Sequence, residues 1–358
     1  MGGFMRQASL DFLKRLLEAP SPSGYEGPIR EVYRAEVSGY ADRVTVDVHG
    51  NVIAALNEQG RPRIMLAGHC DELGFQVVHV DDKGFLYFQT IGGFDPGPIP
   101  GRKVRIHTPK GPVLGVIGKK LIHLMTSEER DKVPKVHEMW IDIGAGSRKE
   151  ALSVVSIGDP ITYDPNFEVL RKDLVVSKGF DNKMGVFVVA EVMRLASEER
   201  KRLKASLFSV ATVQEEVGLR GARTSAYGID PVVGIAVDVT WATDHPDIDP
   251  RQAGRMEIGK GPVLVRGANA NPVVYDLLVA TAKREKIPYQ VEAASGGTGT
   301  DANVMQMTRA GVATAIVSVP LRYMHTPVEV LSLKDLGQAA RLIAAFVLRV
   351  DERTSFIP

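Results

Sequence analysis

Three observations predict an α/β fold, a three-layer α/β/α domain carrying an inserted all-β, barrel-like domain. From about residue 166 onward, short apolar runs alternate with segments of helical period, the pattern of a sheet covered by helices. Residues 1–73 have the same texture. Between them, residues 74–165 carry short alternating runs with closely spaced turn signals and no helical period, which is the signature of a barrel or sandwich. At 358 residues the chain exceeds the usual size of a single core. The economical division is one α/β domain, 1–73 plus 166–358, interrupted by a β domain, 74–165.

The elements follow in order. Leu10, Phe12, Leu13, Leu16 and Leu17 recur at helical spacing until Pro20 stops the run. After the turn-rich "SPSGYEG", a second helix is predicted over 28–40. "RVTVDVHGNVIAAL" alternates β-branched residues on either side of His49-Gly50-Asn51, a hairpin pattern, and the strand "RPRIMLAGH" follows. The β segment runs from "GFQVVHV" to "VVSIGDPITYDP". Beyond it the pattern predicts a helix over 186–195, strands over 205–213 and 232–239, and a helix over 272–286. A buried strand over 313–319 and a closing helix over 336–350 complete the chain.

Composition excludes several classes. A hydrophobic fraction of 44% and a charged fraction of 24% are those of an ordinary globular protein. A net charge of +1 and a pI near 7.8 give no electrostatic ground for binding nucleic acid or an anionic membrane. The single cysteine cannot form an internal disulfide, which fits a reducing cytoplasm. The N-terminal stretch is amphipathic and charged throughout, unlike a signal peptide. No run reaches the roughly 18 consecutive apolar residues of a membrane span. The expectation is a soluble, cytoplasmic protein.

Acidic and histidine residues collect at strand ends of the α/β part. His69 and Asp71 follow "IMLAG", and Asp181 lies in "SKGFDNKMG" just ahead of a helix. Glu215 and Glu216 close "SLFSVATVQEE", Asp238 closes "VVGIAVD", and His325 follows "TAIVSVP". Ligands of open α/β sheets bind beyond the carboxyl ends of the strands. Histidines and carboxylates without a required thiolate suit zinc or cobalt better than calcium. A carboxylate shared by two metals roughly 3.5–4 Å apart is a recurrent device for activating water. One of the paired glutamates would then be a ligand and the other free to accept a proton. Adjacent residues of a regular strand face opposite ways, so both reach one site only at an irregular strand end, which Gly218 makes available.

Taken singly, each residue has a structural alternative. His69 can also read as a hydrogen-bonded structural histidine, Asp181 as a helix N-cap, the glutamates as a solvated strand end and His325 as a turn residue. Strand alternation turns His69 and Asp71 one way and Cys70 the other, so the thiol is expected in the core and Glu72 outside the site. "ASGGTGTDAN" lacks the Lys-Ser/Thr of a phosphate loop, and Thr300 or Asp301 reads as a helix cap near the substrate. His79, His107, His123, His137 and His245 read as surface or loop residues.

Six stretches, in this order, resemble the motifs of the cytosolic dinuclear-metal aminopeptidases: "AGHCDELGF", "SKGFDNKMG", "ATVQEEVGLRGA", "AVDVTWATDHP", "GTDAN" and "VPLRYMHTPVEV". This is the glutamyl and deblocking aminopeptidase family, whose members form tetrahedral shells and some of which carry an endoglucanase label. "PGRKVRIHTPKGPVLGVIGKK" and "MWIDIGAGSRKEA" resemble the family's inserted dimerisation domain, so the resemblance spans essentially the whole chain. It implies two divalent ions per subunit, Zn2+ with Co2+ or Mn2+ also compatible, and release of N-terminal residues from short peptides. His69 and Asp238 would complete one metal site, Glu216 and His325 the other, with Asp181 bridging. Glu215 would be the general base and Asp71 the partner that orients the His69 ring. The resemblance further implies a cis peptide after Asp181 and dimers assembling into a dodecamer. Lys183 stands where such enzymes often carry an arginine, a departure that touches no ligand.

Two other functions compete. An endoglucanase-type glycoside hydrolase needs two carboxyls straddling the bond and no metal cluster, so it would survive a chelator. A non-catalytic, shell-forming metal-binding assembly would favour closed sites with four protein ligands each, whereas this set supplies three per metal. Arg220, Arg255, Lys260, Arg266 and Arg322 are equal candidates for selecting an acidic first residue.

Overall fold

The structure, a computed structural model, describes residues 5–358. The chain opens with α1 (Gln7–Glu18) and α2 (Gly27–Val37), then β1 (Arg43–Val46), β2 (Val52–Leu56) and β3 (Arg63–His69). Six strands follow: β4 (Gly74–Val80), β5 (Leu86–Ile91), β6 (Lys103–Thr108), β7 (Gly111–Gly118), β8 (Trp140–Asp142) and β9 (Pro160–Tyr163). Two short helices, α3 (Ser127–Arg130) and α4 (Arg148–Val154), interrupt them. The chain returns through β10 (Glu168–Arg171), β11 (Leu174–Ser177), α5 (Phe180–Glu198), β12 (Ser206–Thr212), α6 (Arg220–Ile229) and β13 (Val233–Trp241). It closes with α7 (Pro250–Ala253), β14 (Val263–Gly267), α8 (Pro272–Arg284), β15 (Gln290–Ala294), α9 (Ala302–Met305), β16 (Ala313–Leu321), β17 (Glu329–Ser332) and α10 (Leu333–Val347).

Eight strands form one mixed sheet in the order β1-β2-β12-β3-β13-β16-β14-β15, with β12, β3, β13 and β16 mutually parallel at its centre. Strand alternation divides the core. Ile64 and Leu66 of β3 pack with α1, α2, α5, α8 and α10, whereas Met65 and Ala67 pack with α6 and α9 on the other face. The three layers are those the alternation of strands and helices predicts.

The six strands β4 to β9 close into a barrel, order β4-β5-β8-β7-β6-β9. Its core centres on Phe75, which stacks on Phe94 at 4.6 Å and meets Phe88 edge-on at 5.0 Å. Its first and last strands pair, Phe75 opposite Ile161, so the chain enters and leaves the barrel side by side.

Several boundaries differ from expectation. The helix expected over 186–195 spans Phe180–Glu198, because its first turn is hidden in the polar "DNK" and its last is held by Arg194 pairing with Glu191 and Glu198, both at 2.8 Å. The small sheet β10-β11-β17, the outer strands β14 and β15, and α6 are additions that periodicity alone does not reveal. β15 alternates between half-buried and exposed positions at the sheet edge, so its apolar pattern is weak. Among the described residues no helix is long and apolar enough to cross a membrane.

Gly68 and Gly185 bring α5 onto β3. A side chain on Gly68 would collide with the Gly185 carbonyl, and one on Gly185 with the Val237 carbonyl. This close approach sets the start of α5, with Asp181, beside the end of β3, with His69.

Candidate metal centre

The carboxyl ends of the central parallel strands share one rim. His69 ends β3 opposite Thr212, the last residue of β12, and Asp238 lies on β13 opposite Ser318 of β16. Glu215 and Glu216 follow β12, Asp181 opens α5, and His325 sits between β16 and β17. Both glutamates face the site because β12 ends at Thr212 and Gln214 takes a left-handed φ of +56°, uncommon for a residue with a side chain. The irregularity expected at Gly218 therefore begins four residues earlier. Asp71 holds the turn: its Oδ1 accepts the Glu215 N–H at 3.0 Å and its Oδ2 accepts the Glu216 N–H at 3.1 Å and the Ser23 hydroxyl at 2.7 Å.

The His69 Nδ1 lies 3.1 Å from the Asp71 main-chain carbonyl and 3.4 Å from the Asp71 carboxylate. A carbonyl only accepts, so Nδ1 donates, which leaves Nε2 as the ring nitrogen open to a metal. That nitrogen faces three carboxylates: Asp181 Oδ1 at 3.4 Å, Glu215 Oε2 at 3.8 Å and Asp238 Oδ1 at 3.9 Å. The other oxygen of Asp181 lies 3.3 Å from His325 Nε2. Asp181 thus presents one oxygen to each of two imidazoles. Its peptide bond to Asn182 is cis, as the resemblance implies, and Gly179 rather than Asp181 occupies the N-cap of α5.

So many carboxylates in a buried space call for positive charge. Burial raises Glu215 to about 10, with Asp238 and Asp301 adding to it against His69. Burial and then Asp181 raise Glu216 to about 7, and burial pushes Asp238 well up. The hydrogen bond to Asp181 lifts His325 to about 9. Burial alone would lower His69, yet Glu215, Asp181 and Asp71 together hold it well above its ordinary value. His69, Glu215 and Asp238 offer ligand atoms within 4.8 Å of one another, as do His69, Asp181 and Glu216. The buried Glu216 Oε1 has no hydrogen-bond partner. Imidazole and carboxylate donors with an orphaned oxygen among them fit divalent transition-metal ions.

One residue that sequence reading passed over supports this cluster. Glu329 is buried, and its two oxygens accept the N–H groups of Asp181 and His325, each at 3.1 Å. Its signal is a charge inside the apolar run "VEVLS", a rare burial. Asp301 does not cap α9. Its Oδ2 accepts the Thr212 hydroxyl at 2.7 Å while Oδ1 is buried without a partner. Glu72, outside the cluster as expected, accepts from Lys178 at 2.6 Å and from Lys183 at 2.8 Å in a fully buried triad. Lys183 also donates to the Ala19 carbonyl at 2.7 Å, so it serves as a compact point charge. Cys70 is buried and its thiol is pushed well up by burial. His107 is not a loop residue: it lies in β6, half-buried, 2.8 Å from the Thr162 hydroxyl.

The cluster floors a cavity of about 400 Å³ whose walls include Thr240, Trp241, Glu292 and the 294–300 loop. Arg220, Arg255, Lys260, Arg266 and Arg322 do not line it.

Residues 50–342 match the M42 glutamyl aminopeptidase family. A lysyl aminopeptidase of Pyrococcus furiosus is 38% identical over 343 residues, covering 94% of this chain and 96% of that protein. Among solved structures, the TET aminopeptidase of a marine sediment archaeon, Thaumarchaeota archaeon SCGC AB-539-E09, superposes with a TM-score of 0.92 at 38% identity, over 96% of this chain and 97% of that one. The TET1 peptidase of Pyrococcus horikoshii, which can assemble into a tetrahedron or a large octahedral shell, gives a TM-score of 0.85 at 34% identity, over 96% and 100%. Family match, near full-length identity and shared architecture agree: the chain belongs to the M42 glutamyl aminopeptidase family.

Proposed function

We propose that this protein is a two-metal aminopeptidase that releases N-terminal residues from short peptides. The observation that carries the reading is Asp181, one oxygen toward His69 and the other toward His325, with Glu216 and Asp238 beside them. His69 and Asp238 would hold one divalent ion and Glu216 and His325 a second, with Asp181 shared. When bound, zinc, cobalt or manganese would supply the Lewis acidity that polarises the scissile carbonyl and activates a water.

The chain's own groups do the rest. Glu215 takes the proton of the attacking water and delivers it to the leaving amine. Asp71, through its two N–H acceptor bonds, holds Glu215 and Glu216 in their turn, and its carbonyl keeps the His69 proton on Nδ1. Binding of the substrate's free α-amino group near one of the metals would confine cleavage to the first residue. The roomy cavity over the cluster favours a reacting site over closed structural metal sites.

Homo-oligomerisation through the barrel domain, with dimers building a shell of twelve subunits, fits Leu121, Ile122, Leu124 and Val133, apolar side chains that the barrel's long excursion leaves exposed. The single cysteine is consistent with a cytoplasmic location.

The deciding experiment assays aminoacyl-p-nitroanilides and short peptides with zinc, with cobalt and with EDTA. Hydrolysis that EDTA abolishes and metal restores is expected. Cleavage of a glucan that survives EDTA, or a metal-replete protein inert to every aminoacyl substrate, would overturn the reading.

A further inference from the structure

We propose that Glu292 selects the substrate's first side chain and that this side chain is a cation, lysine or arginine; the inference rests on the aminopeptidase reading of the cavity. Glu292 lies on the edge strand β15 and lines the cavity. Its Oε2 accepts the Thr240 hydroxyl at 2.8 Å. Burial pushes its carboxyl up, and that hydrogen bond opposes the shift. The other oxygen is left for a donor arriving from the cavity.

The spacing suits a long basic side chain. Asp238 and Thr240 are two apart on β13, so they share a face and lie about 6.7 Å apart along the strand. A lysine side chain reaches roughly 6 Å from Cα to its ammonium at standard bond lengths. A substrate whose α-carbon sits over the Asp238 side of the cluster therefore brings its ammonium to the carboxylate that Thr240 orients. Val265, Ala294 and Ile316 in the cavity wall offer apolar surface for the methylene stem.

Charge count points the same way. Asp181, Glu215, Glu216 and Asp238 are engaged by the proposed metals and the chemistry, and Glu292 is the carboxylate of the lining left over. Among the described residues no lysine or arginine lines the cavity to receive a glutamyl or aspartyl side chain. None of the five basic residues that sequence reading offered for that task lines the cavity, and three of them are engaged elsewhere. Arg322 pairs with Asp244 at 2.7 Å, Arg220 donates to Gln214 at 3.1 Å, and Arg266 lies over the Tyr275 ring. An acidic first side chain reaching past Asp238 would meet the Glu292 carboxylate, so the family's glutamyl label does not extend to this chain's preference.

The test measures kcat/KM of the metal-loaded enzyme on the p-nitroanilides of lysine, arginine, leucine and glutamate, for wild type, Glu292→Gln and Glu292→Lys. The expected wild-type order is lysine and arginine above leucine, and leucine above glutamate. Glu292→Gln should lower the lysine-to-leucine ratio about 10- to 100-fold, the effect of losing one charged hydrogen bond. Glu292→Lys should place glutamate above lysine. Wild-type preference for leucine or glutamate over lysine, or a Glu292→Gln ratio equal to wild type, overturns the proposal. Calorimetric binding of free L-lysine and L-leucine reads the subsite without turnover. If no aminoacyl substrate is cleaved but L-lysine binds more tightly and Glu292→Gln erases the difference, the peptidase reading fails and the cation subsite stands. Equal binding of the two amino acids by wild type overturns the subsite itself.

Discussion

Glu215 and Glu216 leave the end of β12 through a left-handed Gln214, and a single carboxylate, Asp71, fixes both main-chain N–H groups. Glu329 does the same for Asp181 and His325. Two buried carboxylates thus each clamp a pair of site residues, and neither needs to touch a metal to matter. Glu215→Gln keeps the shape and loses the proton acceptor. Its kcat should fall about 10²–10⁴-fold while bound metal, measured by elemental analysis, stays at the wild-type level; near-normal turnover would remove Glu215 from its role as base. Glu329→Gln replaces one of two acceptor oxygens by an amide that cannot accept, leaving an N–H of Asp181 or His325 unpaired. Metal affinity should weaken about 10- to 100-fold, read by chelator competition, and an unchanged affinity would make the clamp merely structural.

At the scale of elements, the end of β3, the start of α5 and the segment after α1 are stitched by one buried charge cluster. Glu72 accepts from Lys178, Lys183 and the Ser21 N–H, and Lys183 reaches back to the Ala19 carbonyl. Burial would raise the Glu72 carboxyl, but the two ammonium groups outweigh it and hold it at about 2. Because its folded value lies below the unfolded one, this carboxylate contributes stability that is fully present above about pH 4.5 and is lost as pH falls toward 2. Burial draws Lys183 down to about 7 against Glu72, and Glu72→Gln, which leaves Lys178 and Lys183 without their counter-charge, should cost about 3–5 kcal/mol in urea unfolding at pH 7. The mutant's stability should also vary less than wild type's between pH 4.5 and 2. A loss under 1 kcal/mol would show that water reaches the lysines.

For the whole molecule, the sheet rim gathers more negative charge than its two histidines balance. Without metal, Glu215 and Glu216 are raised to about 10 and about 7, so at neutral pH these carboxyls retain protons that the unfolded chain has released. A folded value above the unfolded one means that their contribution to stability falls as pH rises from about 4.5, through about 7 for Glu216 and about 10 for Glu215. Metal binding should expel these protons and reverse that trend. Calorimetric titration of Zn2+ into EDTA-stripped, dialysed protein at pH 7 should show heats that differ between buffers of different ionisation enthalpy, as proton release requires. Metal at 100 times its Kd should add about 2.7 kcal/mol of stability, visible as a higher Tm. Buffer-independent heat with an unchanged Tm would separate the cluster from metal binding.

The local sequence determined the elements and the rim. Alternating β-branched runs, apolar helical spacing, and acids and histidines at the ends of apolar strands depend only on periods of two and 3.6 residues, so they are legible without coordinates. Lys183 and Glu72, 111 positions apart, gave no sign of one another, and neither did Glu329 and Asp181, 148 apart. Nor could five basic residues be ranked as selectors before their partners in space were known. Those relations are contacts between distant segments, made when Gly68 and Gly185 let α5 close on β3 and when the barrel's paired ends let the chain return to the sheet. Tertiary structure alone decided them, because a buried charge is defined by what surrounds it and not by its neighbours along the chain.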